Sequence, residues 1–334
     1  MSTQVIQVGS DLPGSAPERF FPTAKPSASD RIFRLALRIA ASSALALMGL
    51  IGLFLFIKAW PALKTAGLSF LTTSQWLPDT GEFGVASVLE GTIVVALIAM
   101  TIALPIGFGA AVFISEYAPA RIKRPLISLI DLMAAVPSIV YALVGFFLLQ
   151  PLLIGPARWM ATYLDFLPFL RVEPMETDTS FTASAFIAGC VVGIVVIPTV
   201  TSIMREVFSQ APTGEREGAL ALGSTKWGMI RTVVLPFGRS GVIAGTMLGL
   251  GRALGETITV YLIITPIFTF TLRPLQAGTN TISSLIAARY SESSDVALAG
   301  LLGAGLVLFV FTLVINAIAA VATGRSRSGS TTEI

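Results

Sequence analysis

The chain has no histidine. That removes the commonest metal ligand and the commonest acid-base group at neutral pH, and argues against an intramembrane metalloprotease or a histidine-dependent hydrolase. A single cysteine, Cys190, sits inside an apolar run. One thiol makes neither an intrachain disulfide nor a thiolate metal cluster, so Cys190 reads as a small core residue. Charge is scarce too: 12% of residues are charged and 54% hydrophobic, with mean hydropathy +0.82. Soluble domains keep roughly a quarter of their residues charged. The composition therefore describes a polytopic membrane protein, all-α in class. No GxxxxGK[ST] phosphate loop occurs, and the glycine-rich run at residues 301–306 belongs to an apolar span. The net charge of +3 and pI near 9.2 do not signal nucleic acid, because the basic residues lie at the ends of apolar spans.

A hydrocarbon core of about 30 Å takes about 20 apolar helical residues to cross. Runs near that length occur at residues 39–57, 91–115, 126–150, 181–204, 240–264 and 296–324, which predicts six transmembrane helices. Six crossings put both termini on one side. Of the Lys and Arg residues, 15 lie in the segments assigned to the cytoplasm, 6 in the outer segments and 1 inside a span. By the positive-inside rule both termini are expected in the cytoplasm of a multi-pass inner-membrane protein. Residues 1–34 read as a disordered cytoplasmic tail, polar and rich in Pro and Ser, without the apolar stretch of a signal peptide. Residues 35–86 hold the first span and an outer loop, where Trp60 and Trp76 suit interfacial anchoring or docking of an outer partner. Residues 87–321 form the transmembrane domain proper, and 322–334 a second cytoplasmic tail. Pro105, Pro137 and Pro198 fall inside spans as kinks or as hinges. Asp131 is either a solvated, capping carboxylate or a gating group paired with a cation.

The long loop at residues 205–239 has its own helical pattern. Glu217 opens a run of helix formers that Gly223 interrupts, glycine being the residue that allows a sharp reversal. A second segment follows with Trp227, Ile230 and Val234 at helical spacing, and Pro236 marks entry to the fifth span. Two short helices angled about a glycine make a knob that can seat in a partner's groove.

That span carries Arg252, where a buried arginine costs roughly 2.5–3.5 kcal/mol on insertion scales. Glu256, four residues on, is placed on the same helical face. The two either neutralise each other inside the bundle, or Arg252 offers its planar fork of donors to a tetrahedral oxyanion while Glu256 holds it or competes for it. Gly249, Gly251 and Gly255 around them allow close helix approach.

The order E-x-A-x3-G-x9-[IV]-x-L-P, carried by Glu217, Ala219, Gly223, Val233, Leu235 and Pro236, resembles the EAA loop of the membrane subunits of binding-protein-dependent ABC importers. Gly218 stands where that family has Ala, which loosens the helix by about 1 kcal/mol. The stretches GRALGET (251–257), AAVPSIVYALVG (134–145), IPTVTSIMREVFSQAP (197–212) and FISEYAP (113–119) are similar to the C-type permease half of the phosphate-specific importers. The resemblance runs from about residue 87 to 321.

The resemblance implies a type I ABC importer permease fold, with no cofactor bound by this chain and no catalytic or metal site. Coupling to an ATPase would pass through Glu217, Ala219, Gly223, Trp227, Leu235 and Pro236, and the substrate past Arg252 and Glu256. It also implies an A-type permease partner in a heterodimer, two copies of a cytoplasmic ATPase that uses the ATP, and an outer phosphate-binding protein. Lipid surrounds the chain, and no nucleic acid is involved. The nearest rival is a permease half for sulfate or molybdate; a more distant one is an ATP-independent anion channel.

Overall fold

A computed structural model describes residues 28–173, 177–270 and 272–327. The chain divides into two compact units, residues 1–51 and 52–334. The described part of the first, residues 28–51, is the leading portion of helix α1 (Ala28–Ala66). Its apolar side chains are exposed, as on a helix whose surface meets lipid. Helix begins at Ala28, so the tail expected to reach residue 34 ends earlier; its residues 1–27 lie outside the described ones.

In the second unit the chain leaves α1 through a short 3-10 turn. It then pairs β1 (Trp76–Leu77) with β2 (Glu82–Phe83) antiparallel, Trp76 opposite Phe83. Trp76 is buried edge-on against Phe83, 5.9 Å between ring centroids, whereas Trp60 is exposed. Trp76 is thus a core residue, and the interfacial role expected of both indoles is open only to Trp60. α2 (Ala86–Val112) continues through a π-helical turn, Phe113–Tyr117, without breaking at Pro105.

The third crossing differs from its expected place. Residues 120–135 form a separate amphipathic helix, α3 (Ala120–Ala135), bearing Arg121, Lys123, Arg124 and Asp131. The chain turns extended at Val136 and Pro137 and restarts as α4 (Ser138–Val144), a π turn, and α5 (Gln150–Tyr163). The crossing is therefore Ser138–Tyr163, not 126–150. A residue before proline is driven out of the helical region, so Pro137 separates two helices instead of bending one. Residues expected in a basic loop and an outer loop are accordingly helical.

α6 (Ala185–Ser209) starts at a Ser184 cap and runs past Pro198. α7 (Thr213–Ala221) and α8 (Lys226–Met229) follow. α8 passes through a π turn, Ile230–Val234, into α9 (Leu235–Gly255). Pro236 does not break this helix, because it lies two residues past the π turn, in the first turn of α9, where the missing donor is absorbed. Then come α10 (Ile258–Ile263), an extended stretch, α11 (Ile282–Arg289) and α12 (Asp295–Arg327). α11 opens on a reciprocal Thr281/Ser284 capping box, and its Ile282 N–H donates to Thr92 Oγ1 on α2 at 3.0 Å. Among the described residues the architecture is all-α with six membrane-length stretches, as expected, apart from one strand pair.

The main core is α2, α6 and α9, with α6 packed most extensively against the other two, which also touch each other. Its closest seam is built on absent side chains. Gly241, Gly245 and Gly249 recur every four residues on the face of α9 that meets α6. A methyl at Gly241 would lie 2.5 Å from Val207 Cβ, at Gly245 3.0 Å from Met204 Cγ, and at Gly249 2.6 Å from Val200 Cγ2. This is the small-xxx-small arrangement that lets backbones approach where lipid supplies no hydrophobic drive. Gly251 and Gly255 have no neighbour within 4 Å, so of the three glycines expected to favour close approach only Gly249 does.

Gly249→Val should force overpacking of about 1–3 kcal/mol and lower the thermal unfolding midpoint of the detergent-solubilised protein, while Gly251→Ala, in open space on the same helix, should not lower it. Equal effects would remove the seam from the account of α6–α9 packing.

Candidate functional site

Three polar features stand out in the second unit: the α7–α8 loop, the groove at Arg252 and the joint at Glu256. In the loop, Gly223 adopts φ +85°, a conformation that β-carbons resist. Its N–H donates to Leu220 O at 3.0 Å, and the Ser224 N–H to Ala219 O at 3.1 Å. These two bonds close α7 as a Schellman motif. Thr225 Oγ1 then accepts the Gly228 N–H at 3.1 Å and starts the next helix. The reversal expected at Gly223 is present, but its second limb is not a separate short helix. It is the first turn of an uninterrupted helical stretch, Lys226–Gly255.

The loop is fastened to the bundle at both limbs. On α7, Arg216 Nη2 donates to Phe208 O at the end of α6 at 2.6 Å and pairs with Glu116 Oε1 at 3.3 Å, in the turn that closes α2. The Glu116 side chain is 3% exposed and that of Arg216 19%. On α8, Lys226 Nζ stands 4.9 Å from the centroid of the Tyr117 ring, a cation–π distance. Ala219 and Leu235 pack half-buried on the main core. Glu217, Trp227 and Pro236 face outward. Trp227 is 55% exposed although Ile230 and Val234 of the same periodic set are fully buried. Leu222, 91% exposed at the reversal, was not singled out from the sequence. A leucine beside the turn glycine is its one available signal.

Arg252 is half-buried on α9, and its Nη1 donates to Thr199 Oγ1 of α6 at 3.0 Å. The two line a groove of about 510 Å³ with Ala244, Met247, Leu248, Gly251 and, from α12, Asn316. Sequence reading missed Thr199 and Asn316: Thr199 is one of several polar residues in the second half of α6, and Asn316 is an amide between apolar neighbours on α12. Lipid cannot satisfy a guanidinium or an amide there, so the groove meets water or protein.

Glu256 is not on the Arg252 face. α9 ends at Gly255 and Glu256 is extended, which removes the four-residue helical spacing on which the expected pair depends. Its side chain is 9% exposed and accepts from Thr259 Oγ1 at 2.7 Å. Thr259 also reaches Ser138 O at 3.5 Å. Glu256 thus seals the joint between α9 and α10 where it meets the start of α4. Asp131 is exposed and accepts from Ser202 Oγ on α6 at 3.1 Å. Among the described residues it pairs with no cation; of the two readings, it has the exposure of a solvated carboxylate, but its bond is to a neighbouring helix and caps none. Cys190 is buried in α6.

Residues 103–328 match the family described as binding-protein-dependent transport system inner membrane component. A phosphate transport system permease protein PstC 2 of Mycobacterium tuberculosis is 40% identical over 304 residues, 90% of this chain and 93% of that one. A phosphate transport system permease protein PstC of Mesorhizobium japonicum is 36% identical, covering 87% of this chain and 89% of that one. A bacterial ABC transporter involved in the import of the acidic polysaccharide alginate superimposes with a TM-score of 0.50 at 17% identity. That match covers 89% of this chain and 100% of that one, and the likeness is one of fold.

Removing one partner of a buried ion pair strands the other charge at a cost of about 3–5 kcal/mol. Glu116→Ala should therefore speed hydrogen exchange across residues 213–225, and unchanged protection would show that the pair does not hold the loop. Gly218 has open space around its α-carbon, so Gly218→Ala should slow exchange in α7 by about fivefold, the 1 kcal/mol of helix propensity.

Proposed function

The chain belongs to the family of binding-protein-dependent transport system inner membrane components, and on that premise we propose that it is the C-type permease half of an ATP-driven importer of inorganic phosphate. The observation that carries the reading is Arg252. A guanidinium on a membrane crossing, held by a neutral hydroxyl at the wall of an open groove, keeps donors and charge available to an oxyanion. The names of relatives aligned over nearly all of the chain support phosphate over sulfate or molybdate.

In this reading an A-type permease completes the pathway as a heterodimer. Two copies of a cytoplasmic ATPase use the ATP, this chain binds no cofactor, and an outer binding protein delivers phosphate. Both termini and the α7–α8 loop face the cytoplasm. The loop offers Glu217, Leu222, Trp227 and Pro236 to a cleft on the ATPase, while Ala219, Gly223 and Leu235 hold its shape. ATP closes the ATPase dimer, the loop follows, and the 226–255 helix tilts so that the cavity opens outward. Hydrolysis reverses the tilt and phosphate passes Arg252 inward. The loop need only favour one of two preexisting packings of the bundle.

Co-expression of the complex and ATP-driven uptake of labelled phosphate into vesicles tests this directly. Unlabelled phosphate should compete, and sulfate and molybdate should not; competition by either would reassign the substrate. Arg252→Gln should lower uptake at least about tenfold, the scale of a lost charged hydrogen bond, with assembly intact; normal uptake would take Arg252 off the path. Leu222→Asp and Gly223→Val should weaken capture of the ATPase while the permease pair still forms. Unchanged capture would remove the loop from coupling.

A further inference from the structure

We propose that Asn316 is the residue at which the membrane pathway distinguishes an oxyanion that carries a proton from one that does not. The inference rests on the importer reading and adds the chemistry of its selectivity. Arg252 has donors only. Thr199 Oγ1 already accepts from Arg252 Nη1 at 3.0 Å, and its own proton is left to donate. The charge and donors of the pair thus suit the bare, negatively charged oxygens of phosphate and sulfate alike, the one lone pair left on Thr199 Oγ1 lying beside the cation.

Asn316 is different. It lines the same groove from α12, between the apolar neighbours Ile315 and Ala317, is exposed there, and its side chain makes no hydrogen bond to any described residue. Its amide supplies an acceptor, Oδ1, besides two donors. Inorganic phosphate near neutral pH keeps at least one P–O–H, and sulfate keeps none. Oδ1 can accept from that hydroxyl in phosphate while Nδ2 donates to a bare oxygen, whereas sulfate has no donor for Oδ1 and can use only the Nδ2 side. Phosphate therefore makes one more hydrogen bond to Asn316 than sulfate does. Arg252 supplies attraction for the class, and Asn316 supplies choice within it. The apolar remainder of the wall, Met247 and Leu248, offers no competing polar contact.

The test uses the membrane complex with its ATPase in vesicles, without the outer binding protein, so that the measured preference is that of the pathway. Cys190→Ala with Met247→Cys leaves one thiol of this chain, at the groove wall. Its modification by an anionic thiosulfonate is timed with inorganic phosphate or sulfate present. Phosphate is expected to slow labelling at about tenfold lower concentration than sulfate, the worth of about one hydrogen bond. Asn316→Leu should bring the two anions together, and Asn316→Ser, which restores an acceptor, should recover part of the gap. A thiol that the reagent never reaches, one that phosphate never protects, or a preference that survives Asn316→Leu would each overturn the assignment. ATP-driven phosphate uptake by the unsubstituted complex, with its binding protein, is measured alongside. Its absence defeats the importer reading itself, whereas uptake with an unaltered preference defeats only the role given to Asn316.

Discussion

Helix α9 lies on α6 at backbone distance because three glycines in register leave room for Val200, Met204 and Val207. Side chains of ordinary size at those positions would push the two helices apart. Thr199 Oγ1 would then leave the 3.0 Å reach of Arg252 Nη1. The guanidinium would also lose the wall against which it is oriented. The polar site is thus a consequence of apolar packing. A seam of missing methyl groups fixes the distance, and the distance lets one neutral hydroxyl hold one charged side chain in a place where charge is expensive.

The same helix gives the site a mechanical connection. From Trp227 to Arg252 the stretch is uninterrupted helix, which at 1.5 Å per residue spans about 37 Å. The π turn at Ile230–Val234 lets the run pass Pro236 without a break. A jointed pair of helices would dissipate displacement at its joint, whereas a continuous one carries it along its axis. The loop is also held to α2 by Glu116–Arg216 and Lys226–Tyr117, and to the end of α6 through Phe208 O. Leu222 and Trp227 therefore sit on a loop tied to α2, α6 and α9 at once. The chain is interrupted beyond them, at Val136–Pro137 and at Glu256–Thr257, and those two interruptions touch through Thr259 and Ser138.

Much of this was legible in residue order, and the failures have physical causes. Six crossings, the reversal at Gly223 and the polar importance of Arg252 follow from hydropathy, backbone freedom and the cost of a buried charge. The third crossing was misplaced by about a dozen residues because a run such as 126–150 satisfies a length criterion whichever helix its residues join. Pro137 held the information, but a proline in an apolar run reads equally as a kink or as an end. The Arg252–Glu256 pairing failed for a related reason: i,i+4 spacing brings side chains together only while the helix lasts, and this one stops at Gly255. Thr199 was missed because its partner is on another helix, and Asn316 because the groove it lines is built by other helices; spacing along one segment carries no record of which segments meet. The glycine stripe at 241, 245 and 249 was visible as spacing, yet only the opposing α6 side chains reveal what it accommodates.

The separation of Glu256 from Arg252 bears on what the arginine can do. A carboxylate at salt-bridge distance would offset much of the cost of placing a cation in the membrane. It would also occupy the fork of donors with an oxyanion of the protein's own, and an incoming ion would have to displace it. Thr199 takes one donor and contributes no charge, so the remaining donors and the full positive charge face the groove. Glu256, with its acceptor capacity directed to Thr259, serves the joint instead. For the pathway proposed above, attraction without a resident competitor and an open wall would meet the balance that conduction requires: enough favourable interaction to enter and too little enclosure to remain.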